Sequence, residues 1–139
     1  MSKTKHVCIA GATGFVGIEL IKLLVKHPNI QIKYIFLNEK KIFNKFLNKK
    51  FIKNTNNLPK LNKLNINNIN KCDVLFSALP HGILNKIANK INSNIVIIDL
   101  SADFRLSDVK KFEEWYKTKH QAKNLQKYSI YGLSEIFYS

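Results

Sequence analysis

The sequence predicts an α/β domain, a doubly wound and mainly parallel sheet with helices on both faces. Three observations carry that expectation. Short, β-favouring apolar runs alternate with stretches of helical periodicity, and such alternation calls for right-handed crossovers between parallel strands. A glycine triplet, Gly11, Gly14 and Gly17, lies between the first apolar run and the first helical stretch. The chain has 139 residues and is 45% hydrophobic, enough for one buried core and too short for two full-sized domains.

The elements follow in order. Val7, Cys8, Ile9 and Ala10 form a run that stops at Gly11, as expected of a strand buried on both faces. Residues 14–26 read as a helix, with Phe15, Ile18, Leu20, Ile21, Leu24 and Val25 apolar and Glu19, Lys22 and Lys26 polar. Pro28 cannot continue that helix. Residues 30–37 form the next strand, which includes Ile32, Tyr34, Ile35, Phe36 and Leu37. Residues 38–71 hold nine lysines, eleven asparagines and the single acid Glu39, and read as long connections around one or two short elements such as 61–66. Residues 73–79 are a third strand, stopped by Pro80, and residues 82–91 a helix. Residues 95–98 are a fourth strand. Residues 107–120 read as a helix with Ser107 as N-cap, and 129–131 as a last extended run. No internal repeat divides the chain.

Composition excludes several classes. Ile18 to Val25 is interrupted by Glu19 and Lys22, far from the roughly 20 apolar residues of a membrane span. No apolar leader with a small-residue cleavage site precedes Gly11, so a cytoplasmic protein is expected. Cys8 and Cys72 provide neither a disulfide framework nor metal spacing. The net charge of +14 suggests nucleic acid at first sight, but 22 of the 23 basic residues are lysine. With 17 asparagines and 18 isoleucines beside them, this is the signature of A/T-rich codons. Arginine, the residue suited to bidentate phosphate and guanine contacts, occurs once. A nucleic-acid partner is therefore not expected.

The turn Gly11-Ala12-Thr13-Gly14-Phe15-Val16-Gly17 is the strongest motif. Gly11 permits a tight exit from the strand, Gly14 admits a pyrophosphate close to the backbone, and Gly17 lets the helix pack closely on the sheet. The amides and positive dipole end of the helix then face the phosphates. A glycine triplet between strand and helix is the context that turns this pattern into a dinucleotide fingerprint, and makes the fold Rossmann-type. The residues after the second strand would meet the adenosine ribose. There, beside Asn38, Lys40 and Lys41 favour the 2′-phosphate of NADP, and Glu39 the free hydroxyl of NAD; charge logic prefers NADP.

Three further segments specify more. They are Asp73-Val74-Leu75-Phe76-Ser77-Ala78-Leu79-Pro80-His81-Gly82, Asp99-Leu100-Ser101-Ala102-Asp103-Phe104-Arg105-Leu106 and Tyr131-Gly132-Leu133-Ser134-Glu135. With the glycine turn, they resemble the N-acetyl-γ-glutamyl-phosphate reductase family. Trp115, Tyr116 and His120 also fall where that family has an aromatic pair and a histidine. The run from Asp99 to Leu106 is the most specific, because it separates this family from the related aspartate-semialdehyde dehydrogenases, which share the glycine turn.

The resemblance implies NADPH-dependent reduction of an acyl phosphate, N-acetyl-glutamyl phosphate, to a semialdehyde in arginine biosynthesis. A cysteine thiolate of that family takes the acyl group, and a histidine serves as acid and base. Both belong to a region after the Tyr-Gly-Leu motif, so no catalytic residue is assigned here. Residues 1–139 are expected to be the NAD(P)-binding domain, with the second, catalytic and dimerising domain absent and the chain inactive alone. A family-type homo-oligomer would need that second domain. Expected cofactor-binding residues are Gly11, Thr13, Gly14, Phe15, Val16, Gly17, Asn38, Lys40, Lys41, Leu79, Pro80, Gly82 and Ser101. His81, Asp103 and Arg105 are expected on the substrate side, Arg105 as a fork for phosphate or carboxylate or as a structural partner of Asp103 or Asp108. His6, His27 and His120 read as surface or capping residues, and Trp115 and Tyr116 as packing. The alternatives are a stand-alone NAD(P)-binding module or regulator without catalysis, a basic nucleic-acid binder, and a remnant that no longer folds stably.

Overall fold

The computed structural model describes residues 3–37 and 58–132. Asn38, Glu39, Lys40 and Lys41 lie outside the described residues, as do Leu133, Ser134 and Glu135 of the last motif. Five strands form one sheet: β1 (Lys5–Ala10), β2 (Ile30–Leu37), β3 (Leu61–Lys63), β4 (Val74–Ser77) and β5 (Val96–Asp99). All neighbouring pairs are parallel, in the order β3-β2-β1-β4-β5. The helices are α1 (Phe15–Leu24), α2 (Ile66–Ile69), α3 (Leu84–Ile87) prolonged by a 3₁₀ turn (Ala88–Lys90), α4 (Val109–Tyr116) and α5 (Lys123–Gln126).

The sheet is built outward from β1. Val7, Cys8, Ile9 and Ala10 are all fully buried. Val7 and Ile9 pack with Ile21 and Leu24 of α1 on one face, while Cys8 and Ala10 pack with Ile69 of α2 and Leu84 of α3 on the other. Helices thus cover both faces. Burying each large aliphatic side chain contributes roughly 1.5–3 kcal/mol. Strand β2 carries a bulge: Val7 pairs with Ile32, and Cys8 with Tyr34. The extra residue, Lys33, resets the alternation, so Ile32 faces the α1 side and Tyr34 the α2–α3 side although they are two apart.

Local chemistry corrects several expected boundaries. The first helix ends at Leu24, with turn bonds from Lys26 to Leu23 and His27 to Leu24 leading to Pro28. The third helix starts at Leu84, because Gly82 has φ +81° and cannot belong to it. Asp108, not Ser107, caps α4, accepting from the amides of Lys110 and Lys111 at 2.8 and 3.3 Å. Lys117, left-handed at φ 51°, stops that helix before His120. Residues 129–131 join no strand of the sheet.

Candidate functional site

Strand order places the topological switch between β1 and β4, whose chains leave the sheet in opposite directions. Ligands of open α/β sheets bind outside the carboxyl ends of strands at that crevice. Here the crevice is walled by the glycine turn after β1 and by the loop 78–82 after β4. The two are in close contact. Ala78 donates its amide to the Ala10 carbonyl at 2.8 Å, and a Cβ on Gly11 would stand 2.2 Å from the Ala78 oxygen. Gly11 also has φ +79°, so both its conformation and its neighbour require glycine. Its amide and that of Ala12 donate to the Phe36 carbonyl, tying the turn to β2.

The remaining two glycines differ from each other. A Cβ on Gly17 would lie 2.5 Å from the Gly11 oxygen and 2.6 Å from Ala12 Cα, so α1 can approach the turn only without a side chain there. A Cβ on Gly14 would meet nothing closer than the Gly11 oxygen at 3.8 Å. Gly14 has φ −80° and ψ 166°, open to any residue. The protein's own packing therefore explains Gly11 and Gly17 but not Gly14. Exposed backbone at Gly14 opens α1, which has no side-chain cap and no acid in its first turn. This is a cradle that a side chain would fill, at the positive end of a ten-residue helix, and it fits a dinucleotide diphosphate. Thr13 is partly exposed beside it, and Phe15 and Val16 stand exposed on the rim.

Across the crevice, Leu79 is buried, Pro80 and His81 form an exposed crest, and Gly82 is buried. The His81 ring lies 5.7 Å from that of Tyr116 on α4. The other predicted residues are not gathered there. Ser101 and Arg105 line a separate cleft of about 630 Å³ beside β5, with Ile97, Asp99, Phe104 and Tyr131. Desolvation by burial pushes the Asp99 carboxyl up from its usual range, although the Ser101 amide donates to it at 2.9 Å. Arg105 is exposed and pairs with neither Asp103 nor Asp108, whose acceptor bonds go to Gly82 and Asn85 and to the head of α4.

Asp103 departs from its predicted setting. Its side chain is fully buried and turned inward, not toward either opening. Its carboxylate accepts from the Gly82 amide, the Asn85 amide at 2.9 Å and Asn85 Nδ2 at 3.1 Å. His120 is likewise buried, not a surface residue, and lies edge-on to both Phe104 and Phe112. Its Nδ1 accepts from the Ala122 amide, which assigns the ring proton to Nε2 and makes Nε2 the donor to the Asp103 carbonyl at 2.8 Å. Trp115, expected to pack, is 77% exposed. Nothing in the sequence flags the buried Asn85 or Gln126 as partners of the 101–106 segment; their bonding depends on the tertiary fold.

The cysteines offer no nucleophile. Both are buried and out of reach of a substrate; the hydrogen bond between them, together with burial, pushes the Cys8 thiol far up, and the same bond lowers the Cys72 thiol. Among the described residues no cluster of three or more metal-binding side chains exists. No described helix is long and apolar enough to cross a membrane.

An all-parallel sheet of this order, with a glycine turn at its switch point, defines a Rossmann-type nucleotide-binding domain. Residues 6–139 match the profile of the semialdehyde dehydrogenase, NAD binding domain family, and the chain belongs to that family. It is 37% identical over 140 residues to the N-acetyl-gamma-glutamyl-phosphate reductase of Ehrlichia canis, covering 99% of this chain and 40% of the relative. It is 41% identical over 138 residues to the same-named protein of Clostridium novyi, covering 94% and 39%. Its fold also matches the aspartate semialdehyde dehydrogenase of Candida albicans, solved with NADP, at a TM-score of 0.55 and 21% identity over 74% of this chain and 31% of that one. The chain thus spans about 40% of the length of the curated relatives it matches.

Proposed function

We propose that this chain is the cofactor-binding part of an N-acetyl-γ-glutamyl-phosphate reductase acting in the cytoplasm, and that its cofactor is NADP. The observation that carries this reading is the cradle at Gly14, the one glycine of the turn that internal packing does not require. In this reading the amides at the head of α1 bind the diphosphate, and Thr13, Phe15 and Val16 border it. Leu79, Pro80 and Gly82 form the opposite wall, and Lys40 and Lys41, with Asn38, select the 2′-phosphate. When bound, the nicotinamide supplies the hydride that reduces the acyl group.

Substrate chemistry falls to the second opening. Arg105 lacks an acidic partner among the described residues, so its planar fork is available to the phosphate or carboxylate of N-acetyl-glutamyl phosphate. Ser101 lines the same cleft, and His81 stands on the crest of the first site. Neither Cys8 nor Cys72 is exposed to an acyl phosphate, so the thiolate must come from outside residues 1–139 and the chain alone does not turn over. The test is calorimetric titration of the purified chain with NADP, NADPH and NAD. Saturable binding, tighter for the 2′-phosphorylated forms, is expected. Equal affinity would remove the NADP preference, and no heat from a folded sample would remove the reading itself.

A further inference from the structure

We propose that Asp103 is a positioning residue of the dinucleotide site, holding the Pro80–His81 crest against the glycine turn. This role rests on the functional reading above and adds a task for a carboxylate that never reaches the ligand.

The loop after β4 is fixed at its two ends by different means. At its start, Ala78 is wedged against Gly11, so the first residues of the loop cannot shift without opening the turn. At its end, Gly82 sits at φ +81°, where nothing crowds it: a Cβ would find only Thr118 Cγ2, at 3.9 Å. The space beside Gly82 is open, and the contact that fixes its backbone is the Asp103 carboxylate, with one oxygen on the Gly82 amide and the other on both nitrogens of Asn85, the second residue of α3. The N-cap residue of that helix, Ile83, provides no side-chain cap, and Asp103 satisfies these amides from 18 to 21 residues away in sequence.

Asp103 is itself held from both sides. Its amide donates to Ser101 Oγ at 3.2 Å, and its carbonyl accepts from His120. The His120 amide donates to Glu113, which in turn pairs with Lys123 at 2.8 Å. Asn85 Oδ1 accepts from the Gln121 amide at 3.3 Å, which closes the ring. A rigid anchor thus runs from the α4–α5 segment through His120 and Asp103 to the wall of the crevice. Three donors meet the carboxylate, and each needs an acceptor. An asparagine has the same shape but must turn its NH₂ toward at least one N–H, leaving a buried clash of donors.

The experiment compares Asp103→Asn with two other variants of the 139-residue chain, by calorimetry with NADP and by amide hydrogen exchange. Asp103→Asn is expected to raise the NADP dissociation constant about tenfold and to lose protection at Gly82 and Asn85. Asn85→Ala keeps both backbone bonds and should raise it about two- to threefold, which provides a readout if Asp103→Asn does not fold. Ile69→Val, on α2 before β4 and outside the hydrogen-bond ring around Asp103, should lower the melting temperature and leave the dissociation constant unchanged. Wild-type-like affinity in both Asp103→Asn and Asn85→Ala would overturn the positioning role, as would an Ile69→Val loss equal to theirs. A folded wild-type chain that binds no dinucleotide would instead overturn the functional reading, and the positioning role with it.

Discussion

Replacing the three glycines of the turn one at a time by alanine separates packing from ligand binding. In Gly17→Ala the new methyl would lie 2.5 Å from the Gly11 oxygen and 2.6 Å from Ala12 Cα, both backbone atoms, so α1 must move off the sheet. Overpacking of that kind costs about 1–3 kcal/mol. Gly11→Ala adds left-handed strain of roughly 1–2 kcal/mol to a 2.2 Å approach to the Ala78 oxygen, for a total of about 2–5 kcal/mol. Gly14→Ala meets nothing inside 3.8 Å. Removing the glycine's unfolded-state freedom gains about 0.4–1 kcal/mol, and alanine is a poorer N-cap than glycine by a similar amount. These effects cancel to within about 1 kcal/mol, or roughly 4 °C in melting temperature for a domain of this size. The same methyl occupies the diphosphate cradle, so NADP affinity should fall at least about tenfold. Thermal melts and calorimetry on the three variants check the pattern. If Gly14→Ala bound NADP as wild type does, the cradle would not be where the diphosphate lies. If it melted as low as Gly11→Ala, the claim that packing spares this position would fail.

Other perturbations follow from the same structure. Burial raises the folded-state pKa of Asp99, so the stability lent by its protonated form is complete below the ordinary value of 3.8 and is lost as pH rises through the folded value. Asp99→Asn, which keeps an acceptor for Ser101, should therefore melt above wild type at neutral pH, with the gap closing in acid. Asp73 behaves oppositely, because the His6 amide bond at 2.7 Å lowers its pKa. Asp73→Ala should melt below wild type at neutral pH, and the difference should shrink as pH falls through the carboxylate range. Cys8 and Cys72 should resist alkylation in the native chain and react once it is denatured; fast native labelling of either would contradict their burial.

What is legible in the sequence is what a local pattern dictates. The run from Val7 to Ala10 and the stretch 30–37 announce strands because nearly every residue is apolar or β-favouring, and the glycine spacing announces the turn between strand and helix. Short elements are less visible. Helix α2 is four residues of Ile-Asn-Asn-Ile, held by the Asn65 side chain on the Asn68 amide and by burial of Ile69, and no periodicity can show in one turn. Helix α5 escapes for the same reason. Asp103 lies deeper than its motif suggests, since that motif puts it on the substrate side and the fold buries it completely. Its partners, Gly82 and Asn85, are brought to it only by the crossover from β4 to β5. His120 is hidden likewise, because the two phenylalanines that enclose it, Phe104 and Phe112, become its neighbours only in the folded chain.

The most direct measurement of dinucleotide binding at the glycine turn is amide shift mapping on the ¹⁵N-labelled chain during addition of NADP. Saturable changes should centre on residues 13–17, with a second set at 79 and 81–82 across the crevice. Saturation with those amides unmoved, or changes confined to the cleft around Arg105, would contradict it.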